Sequence, residues 1–454
     1  MKIAGIDIGT SNIKALIINS DNSVIEDLIK VQTPLVFHDQ FLDVELILNA
    51  VKSLVNNVRE KYGVKLLGIS SMAPVLTLVN HEGRAIGALM YNSLVGSDYL
   101  GTFDEELFLR INLNPPNVQM IPQKIMWLRD TMPNMLNNVK YFVDLNGYIF
   151  MKLTNETKAR QDTHIALEWG LLDHKSRYWS YEIIDSLKIR DILEPRLPEL
   201  IEPTYISNNI VIGTVDVVTS ALGLNIDQSK AFISCGTTLC AGTSSMTPRP
   251  SKVLYNDLYL DKGYLINGCN SMYGSLIDWF KSKIAPSLNL KVEDANFIPT
   301  PLIFLPYLIG ERSPIFNPKA RGVIFGLRDD TDINELWKSL IHSLAYITTN
   351  LLNYIVSDQE LIIAYGGLAR EPITTITASL VGKRIAVVDV EASALGAAII
   401  AAKSYGLNLD IKPIIERNMK VIEPKYEIAK MHERNYILFN ELYKRIEDLF
   451  KYLS

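Results

Sequence analysis

The first thirty residues set apolar runs of strand length between short polar breaks. "KIAGIDI" and "IKALII" flank Gly9, Thr10, Ser11 and Asn12, so positions 2–8 and 13–18 are read as two strands around a tight turn. Asp21-Asn22 marks another turn, and "SVIEDLIKVQT" continues as a third strand. In "DVELILNAVKSLVNNVREKYG" the apolar spacing changes to three and four residues, which predicts an amphipathic helix closed by Gly63. "VKLLGISSM" then has the pattern of a buried strand. The first third thus reads strand, strand, strand, helix, strand, and the alternation continues to about residue 210.

About 230 residues after the first turn the pattern returns. "KAFISCGTTLCAGTSS" is an apolar strand, the turn Gly236-Thr237-Thr238, and a second apolar strand. A strand, a Gly-Thr turn and a return strand in both halves indicate two related domains that face each other. A third glycine-rich stretch, "ELIIAYGGLAREPITTITASLVGKRI", has a strand over 361–365 that stops at Gly366-Gly367 before a helical segment. Paired glycines at a strand end let a ligand approach the backbone closely. "VEASALGAAIIAAKSYG" is a small-residue helix closed by Gly406, whose alanines and Gly396 fit a tightly packed core helix. The tail "NYILFNELYKRIEDLFKYL" puts Leu438, Leu442, Ile446, Leu449 and Phe450 on one face, as expected of a docked terminal helix.

At 454 residues the chain is too long for one ordinary core, which points to two large domains. With 48% apolar residues, 21% charged residues and a formal net charge of -5, it has the composition of a globular protein. It has no basic stripe with interleaved aromatics, so no nucleic-acid partner is expected. The longest small-apolar run, "SALGAAIIAA", is far short of a bilayer span, so no membrane partner is expected either. The six histidines are scattered, which argues against a zinc site. Cys235, Cys240 and Cys269 form no CxxC pair and are odd in number, which fits a reducing compartment better than a disulfide framework. Met1-Lys2 runs directly into a strand and leaves no room for a signal peptide. A cytoplasmic protein is the expectation.

The turns carry the candidate chemistry. Backbone N–H groups in a glycine turn can surround phosphate oxygens, and Thr and Ser hydroxyls add donors. Asp7 would repel a phosphate unless a divalent cation lay between them, which makes it a candidate metal residue. Lys14 is placed to neutralise phosphate charge. The competing reading is a surface turn in which Asp7 bonds to nearby backbone N–H groups. Phosphoryl transfer also needs a group that takes the nucleophile's proton. The candidate is Asp216 in "VIGTVDVVTSALGL", after an apolar run and Gly213. There the competing reading is a helix N-cap.

Taken together these pieces resemble the FGGY carbohydrate kinases of the actin/hexokinase-like superfamily, over nearly the whole chain. "IAGIDIGTSNIKALIINSD" resembles the first phosphate motif and "ISCGTTLCAG" the second. "YGGLAREPITTITASLVGKRI" with "EASALGAAIIAAKSYG" resembles the adenosine region. "LIFLPYLIGERSPIFNPKARGVIFGL" is close to the family's long signature around Gly-Glu-Arg-Ser/Thr-Pro, and "PQKIMWLRDTMP" and "YFVDLNGYIFMKLTNE" fit its first domain.

The resemblance implies an α/β fold of two ribonuclease-H-like domains around a central cleft, with residues 1–222 binding the sugar and 223–454 the ATP. It implies ATP-dependent phosphorylation of a sugar or polyol hydroxyl, most like the xylulokinase branch, with Mg2+ and a small-molecule acceptor. Asp216 falls at the family's catalytic base and also borders the acceptor. Gly9, Thr10, Ser11, Lys14, Gly236, Thr237, Thr238, Gly366, Gly367 and Leu368 fall at its nucleotide site. Family members are often dimers, and a homodimer is carried as an expectation.

The sugar-facing stretch departs from the family. In "ALMYNSLVGSDY", Tyr91, Ser93 and Val95 stand where a Trp-x-Asp-x-Arg pattern is common, so both charged members are missing. Asn92 matches the xylulokinase-like branch. Met72 matches a Met-His pair of that branch, but Ala73 replaces the His, and Val217 follows Asp216 where Asn is usual. Met72, Tyr91 and Asn92 are the substrate-side candidates. A site built for particular hydroxyls rejects analogues lacking them, so these changes bear on specificity. The alternatives are a kinase for glycerol, ribulose or a deoxy-ketose, and a non-catalytic nucleotide-binding regulator on the same fold.

Overall fold

The structure, a computed structural model, describes residues 1–417 and 419–453. Its first sheet opens with β1 (Lys2–Ile8), β2 (Asn12–Asn19) and β3 (Val24–Gln32), an antiparallel meander. The helix α1 (Val44–Tyr62) is started by the Asp43 carboxylate, which accepts the Glu45 N–H, and is ended by Gly63 at φ 68°. It leads to β4 (Leu66–Ser71), parallel to β1, and β5 (Ile210–Val215) is parallel to β4. With the short strand Ile206–Ser207 on the outer edge, the order is 206–207, β5, β4, β1, β2, β3. A second, five-stranded antiparallel sheet built from residues 37–38, 41–42, 75–80, 85–90 and 139–144 is inserted into this half.

The helix α2 (Asp216–Gly223) leaves β5, and the seven-stranded sheet of the other half follows. It contains β6 (Lys230–Cys235), β7 (Leu239–Ser245), β8 (Tyr255–Leu258) and β9 (Tyr264–Cys269). The long helix α3 (Ile333–Ile355) crosses to β10 (Leu361–Tyr365), and α4 (Ile373–Val381) crosses to β11 (Arg384–Val387). After α5 (Ala392–Ser404), the edge strand β12 (Lys420–Ile422) completes the order β8, β9, β7, β6, β10, β11, β12. The five central strands β9-β7-β6-β10-β11 repeat β3-β2-β1-β4-β5, with the same directions. The two Gly-Thr turns therefore occupy equivalent places in two copies of one topology.

The small-residue helix α5 follows β11 of the seven-stranded sheet but packs on the first sheet and on α2. A Cβ on Gly5 of β1 would lie 1.7 Å from the Ala394 carbonyl oxygen, and one on Gly396 would lie 1.8 Å from that of Thr219. This is backbone-on-backbone packing, and it ties α2, with Asp216 at its start, to the rest of the molecule.

Two sequence expectations are corrected. The terminal helix α6 (Tyr426–Ile446) docks as expected, with Leu442, Ile446 and the following Phe450 packed on the core of the second half, but Leu438 and Leu449 do not join the docked face. Phe439 and Phe450 are buried at 1% and 2% exposure, whereas Leu438 and Leu449 are 36% and 57% exposed. His432, Tyr436, Phe439 and Tyr443 recur every three to four residues and form the packed stripe. The polar tips of His432, Tyr436 and Tyr443 are bonded, as His432 Nδ1 is to Tyr346 Oη at 2.8 Å, so aromatic residues with polar ends share the docked face with the aliphatic ones. Phe439→Ala is accordingly expected to cost about 3–5 kcal/mol, and Leu438→Ala no more than about 0.5 kcal/mol, in denaturant titration.

The second correction concerns Cys240 and Cys269, which form a disulfide. They face each other directly in the antiparallel pairing of β7 with β9, with Cα atoms 4.1 Å apart. Strand register brings them together across 29 residues of sequence, a relation that CxxC spacing does not test. Cysteine usage therefore gives no support for a reducing compartment. Cys235 is the free, buried thiol. Among the described residues no helix is long and apolar enough to cross a membrane.

Candidate active site

The β1–β2 turn is held by the Gly9 N–H, which donates to the Asn12 carbonyl at 3.1 Å. Asp7 and Lys14 are cross-strand partners at the mouth of this turn. The Asp7 carboxylate, only 5% exposed, accepts from Ser70 Oγ at 3.2 Å and lies 3.8 Å from Lys14 Nζ. Burial lifts its pKa to about 6 against the pull of Lys14. Lys14 also pairs with Glu391 at 2.8 Å, and Lys30 pairs with the other oxygen of that carboxylate. Burial works against the Lys14 ammonium, but Asp7 and Glu391 outweigh it and hold its pKa above the ordinary lysine value.

Across the cleft, the β6–β7 turn closes through the Gly236 N–H to the Thr238 carbonyl at 3.1 Å. Beside it β10 ends at Gly366, at φ 97°, where a Cβ would meet the Cys235 carbonyl oxygen at 2.7 Å. The two turns and the Gly366-Gly367 corner border one open cleft of about 850 Å³. Gly9, Thr10, Ser11, Lys14, Gly236, Thr237, Thr238, Gly366 and Gly367 all line it, together with Asp7 and Asp216. Leu368 does not. Its side chain packs against the core of the second half while its N–H donates to the Cys235 carbonyl at 3.1 Å.

Asp216 is the first residue of α2, and Val215 holds the N-cap position. The N-cap residue Val215 has no side chain that can cap the helix, and the Asp216 carboxyl instead takes the Val217 N–H in the first turn while facing the cleft. Burial and the nearby charge of Asp7 raise its pKa to about 7, against the weaker opposing pull of the Val217 N–H, Lys14 and Arg312.

Behind Asp216 lies a smaller chamber of about 150 Å³. Of the substrate-side candidates, Met72 and Tyr91 line it, and Asn92 lines an adjoining outer pocket with Leu94 and Phe316. The sequence reading missed most of the chamber's polar wall. Glu168 comes from the short helix Thr163–Glu168, Asp257 from β8 and Asn267 from β9. Asn267 Nδ2 donates to Asp257 Oδ2 at 2.6 Å. Arg312 Nη1 donates to Gln119 Oε1 at 3.0 Å, and the guanidinium lies 6.0 Å from the centroid of the Tyr91 ring. Arg312 stood in plain view in "GERSP". An acid in the wholly buried strand "YNDL" was the available signal for Asp257. Nothing local distinguished Glu168.

Two copies of one sheet topology around a common cleft make this an α/β protein of the actin/hexokinase-like kind. Residues 2–227 match the N-terminal domain of the FGGY family of carbohydrate kinases, and residues 231–405 match its C-terminal domain. The chain belongs to the FGGY family of carbohydrate kinases, ATP-dependent enzymes that phosphorylate a sugar or polyol. It is similar to a xylulose kinase of Lactococcus lactis, at 22% identity over 98% of this chain and 97% of the relative. It is also similar to a gluconokinase of Bacillus subtilis, at 24% identity over 88% and 87%. The solved structure of a ligand-bound xylulose kinase from Lactobacillus acidophilus superposes with a TM-score of 0.88 over 100% of both chains, at 22% identity.

Proposed function

We propose that this carbohydrate kinase binds the ATP phosphates between its two Gly-Thr turns, holds the acceptor in the small chamber, and uses Asp216 as the base. The observation that carries this reading is that Asp216 borders both spaces, the open cleft on one side and the chamber on the other. A carboxylate there can take the proton of an acceptor hydroxyl whose oxygen attacks the γ-phosphorus, with ADP leaving toward the cleft. Backbone N–H groups of the turns at Gly9 and Gly236, the hydroxyls of Thr10, Ser11, Thr237 and Thr238, and the Lys14 ammonium would oppose the phosphate charge. The Gly366-Gly367 corner leaves room for the nucleoside. Residues 1–222 supply Met72, Tyr91 and the base, and residues 223–454 supply most of the nucleotide side.

Mg2+ fits the charge arrangement. Among the described residues no group of three or more His, Cys, Asp or Glu could form a protein cage for a metal ion. Mg2+ bound with a nucleotide needs only one or two carboxylates besides phosphate and water, and Asp7 supplies one that burial alone disfavours as an anion. The ion would neutralise phosphate charge and keep Asp7 ionised. A cytoplasmic location and a homodimer accompany this reading, as does a small sugar or polyol acceptor.

ADP release measured across ketoses, aldoses and polyols tests the proposal. Acceptor-dependent release is expected, and ATP binding without release on any acceptor would overturn it in favour of the regulatory reading. The pH profile gives a second prediction. Asp216 must be unprotonated to act, so kcat/KM should fall as pH drops through about 7. Asp7→Asn removes the negative neighbour that holds that pKa up, so the residual acid limb should move to lower pH. The same variant should lose about 100-fold in kcat. An acid limb that stays in place would show that Asp216 is not the titrating group.

A further inference from the structure

The helix Pro122–Thr131 opens with two polar side chains that are fully enclosed, Gln123 at 1% and Lys124 at 0% exposure. Both turn back onto the carbonyls of the preceding loop, residues 117–120. Gln123 Nε2 donates to the Met120 carbonyl at 2.6 Å, to that of Val118 at 3.1 Å and to that of Asn117 at 3.3 Å. Lys124 Nζ donates to Val118 at 2.6 Å, to Met120 at 2.7 Å and to Gln119 at 3.2 Å. Among the described residues, Lys124 is the one donor to the Gln119 carbonyl. Among them, too, no carboxylate balances the ammonium, and burial lowers its pKa to about 7. An uncompensated charge of this kind weakens a fold, and a methionine would fill the same slot without it. The loop that Lys124 holds belongs to the site, since Asn117, Gln119 and Met120 line the chamber. Gln119 Oε1 reaches the other half, where it accepts from Arg312 Nη1 at 3.0 Å and from Tyr255 Oη at 3.2 Å. Gln119 is thus held at its backbone by Lys124 and at its side chain by two chamber residues of the opposite domain.

We propose that Lys124 is a positioning residue for the acceptor: it sets the Gln119 backbone so that the side chain meets Arg312 and Tyr255 and completes the chamber wall across the two halves. The inference rests on the chamber being the acceptor site. Lys124 itself borders neither the chamber nor the cleft, so it acts through Gln119. Gln119 does not border the nucleotide cleft, so losing Lys124 weakens acceptor binding and leaves ATP binding in place.

A double-mutant cycle tests this, with D-xylulose, D-ribulose, glycerol and D-gluconate as probes. The probe that the natural protein binds most tightly by calorimetry is carried into Lys124→Met, Gln119→Ala and the double variant, with ADP release read alongside. Each single variant should weaken that probe ~10-fold or more in Kd and KM. In Lys124→Met, kcat should stay within about threefold and the ATP Kd within about twofold of the parent. The double variant should lose little more than either single one, because both substitutions act on one contact. Gln123 still holds the Asn117, Val118 and Met120 carbonyls in Lys124→Met, which favours folding. Where that variant does not fold, Lys124→Gln, which keeps N–H donors without the charge, takes its place in the cycle. A lysine that serves only the fold predicts a changed urea midpoint with parental acceptor affinity, or losses that multiply in the double variant. Either result overturns the positioning role. Tyr91→Ala separates this inference from the reading beneath it. If it weakens the probe while Lys124→Met does not, the chamber stands and the role of Lys124 falls. If neither moves the affinity, or no probe binds, the chamber is not the acceptor site and the inference falls with it.

Discussion

Asp216→Asn should fold, bind ATP and lose turnover by about 10³-fold, near the middle of the range that a positioned general base supplies. The substitution is close to isosteric and keeps a polar group at the first turn of α2. Asparagine also keeps a side-chain oxygen that can accept the Val217 N–H, as the Asp216 carboxyl does in the first turn of α2. The loss should fall on kcat, because the proton is taken only in the transition state. Removing a carboxyl that burial and Asp7 hold near neutrality also relieves repulsion, so the variant should be at least as stable as the parent. Steady-state ADP release with calorimetric ATP binding separates these effects. Turnover within about tenfold of the parent would mean that another group takes the proton.

Gly5→Ala should have the second large effect, on folding rather than on chemistry. Its new methyl would lie 1.7 Å from the Ala394 carbonyl oxygen, a backbone atom of α5 that cannot rotate away. Gly396→Ala meets the Thr219 carbonyl oxygen at 1.8 Å from the other side of the same helix. Each is expected to cost about 3 kcal/mol or more in urea titration, at the upper end of overpacking effects. Gly101→Ala, where a Cβ meets nothing within 4 Å, is the control and should change stability by about 0.5 kcal/mol or less. Because α5 lies against α2, any folded fraction of Gly396→Ala should also bind acceptor poorly. A Gly5→Ala protein as stable as the control would show that α5 does not contact β1 as described.

Local chemistry was legible in the sequence and juxtaposition was not. Asp7, Gly9, Thr10 and Lys14 lie within one hairpin, so their order alone brings them together, and the same holds for Gly236 to Thr238. The doubled topology followed from the repeat of strand, Gly-Thr turn and strand. The chamber wall is different. Glu168, Asp257 and Asn267 come from three elements of two domains, and each reads by itself as an ordinary helix or strand residue. The missing Asp and Arg at Ser93 and Val95 were visible as losses, but the polar residues of the chamber wall were not. The Cys240–Cys269 pair was hidden for the same reason, since strand register decides it. Asn92 differs from Tyr91 by one position, which at a strand end is enough to turn it to the outer pocket.

The central claim is that a phosphoryl group passes from ATP to an acceptor hydroxyl beside Asp216. Phosphorus NMR of the protein with ATP, Mg2+ and a panel of ketoses, aldoses and polyols reads that transfer directly. The account predicts a new phosphate-monoester resonance that grows in step with ADP for at least one acceptor and is absent with Asp216→Asn. ADP accompanied only by inorganic phosphate for every acceptor, or a monoester formed equally well by the variant, would contradict it.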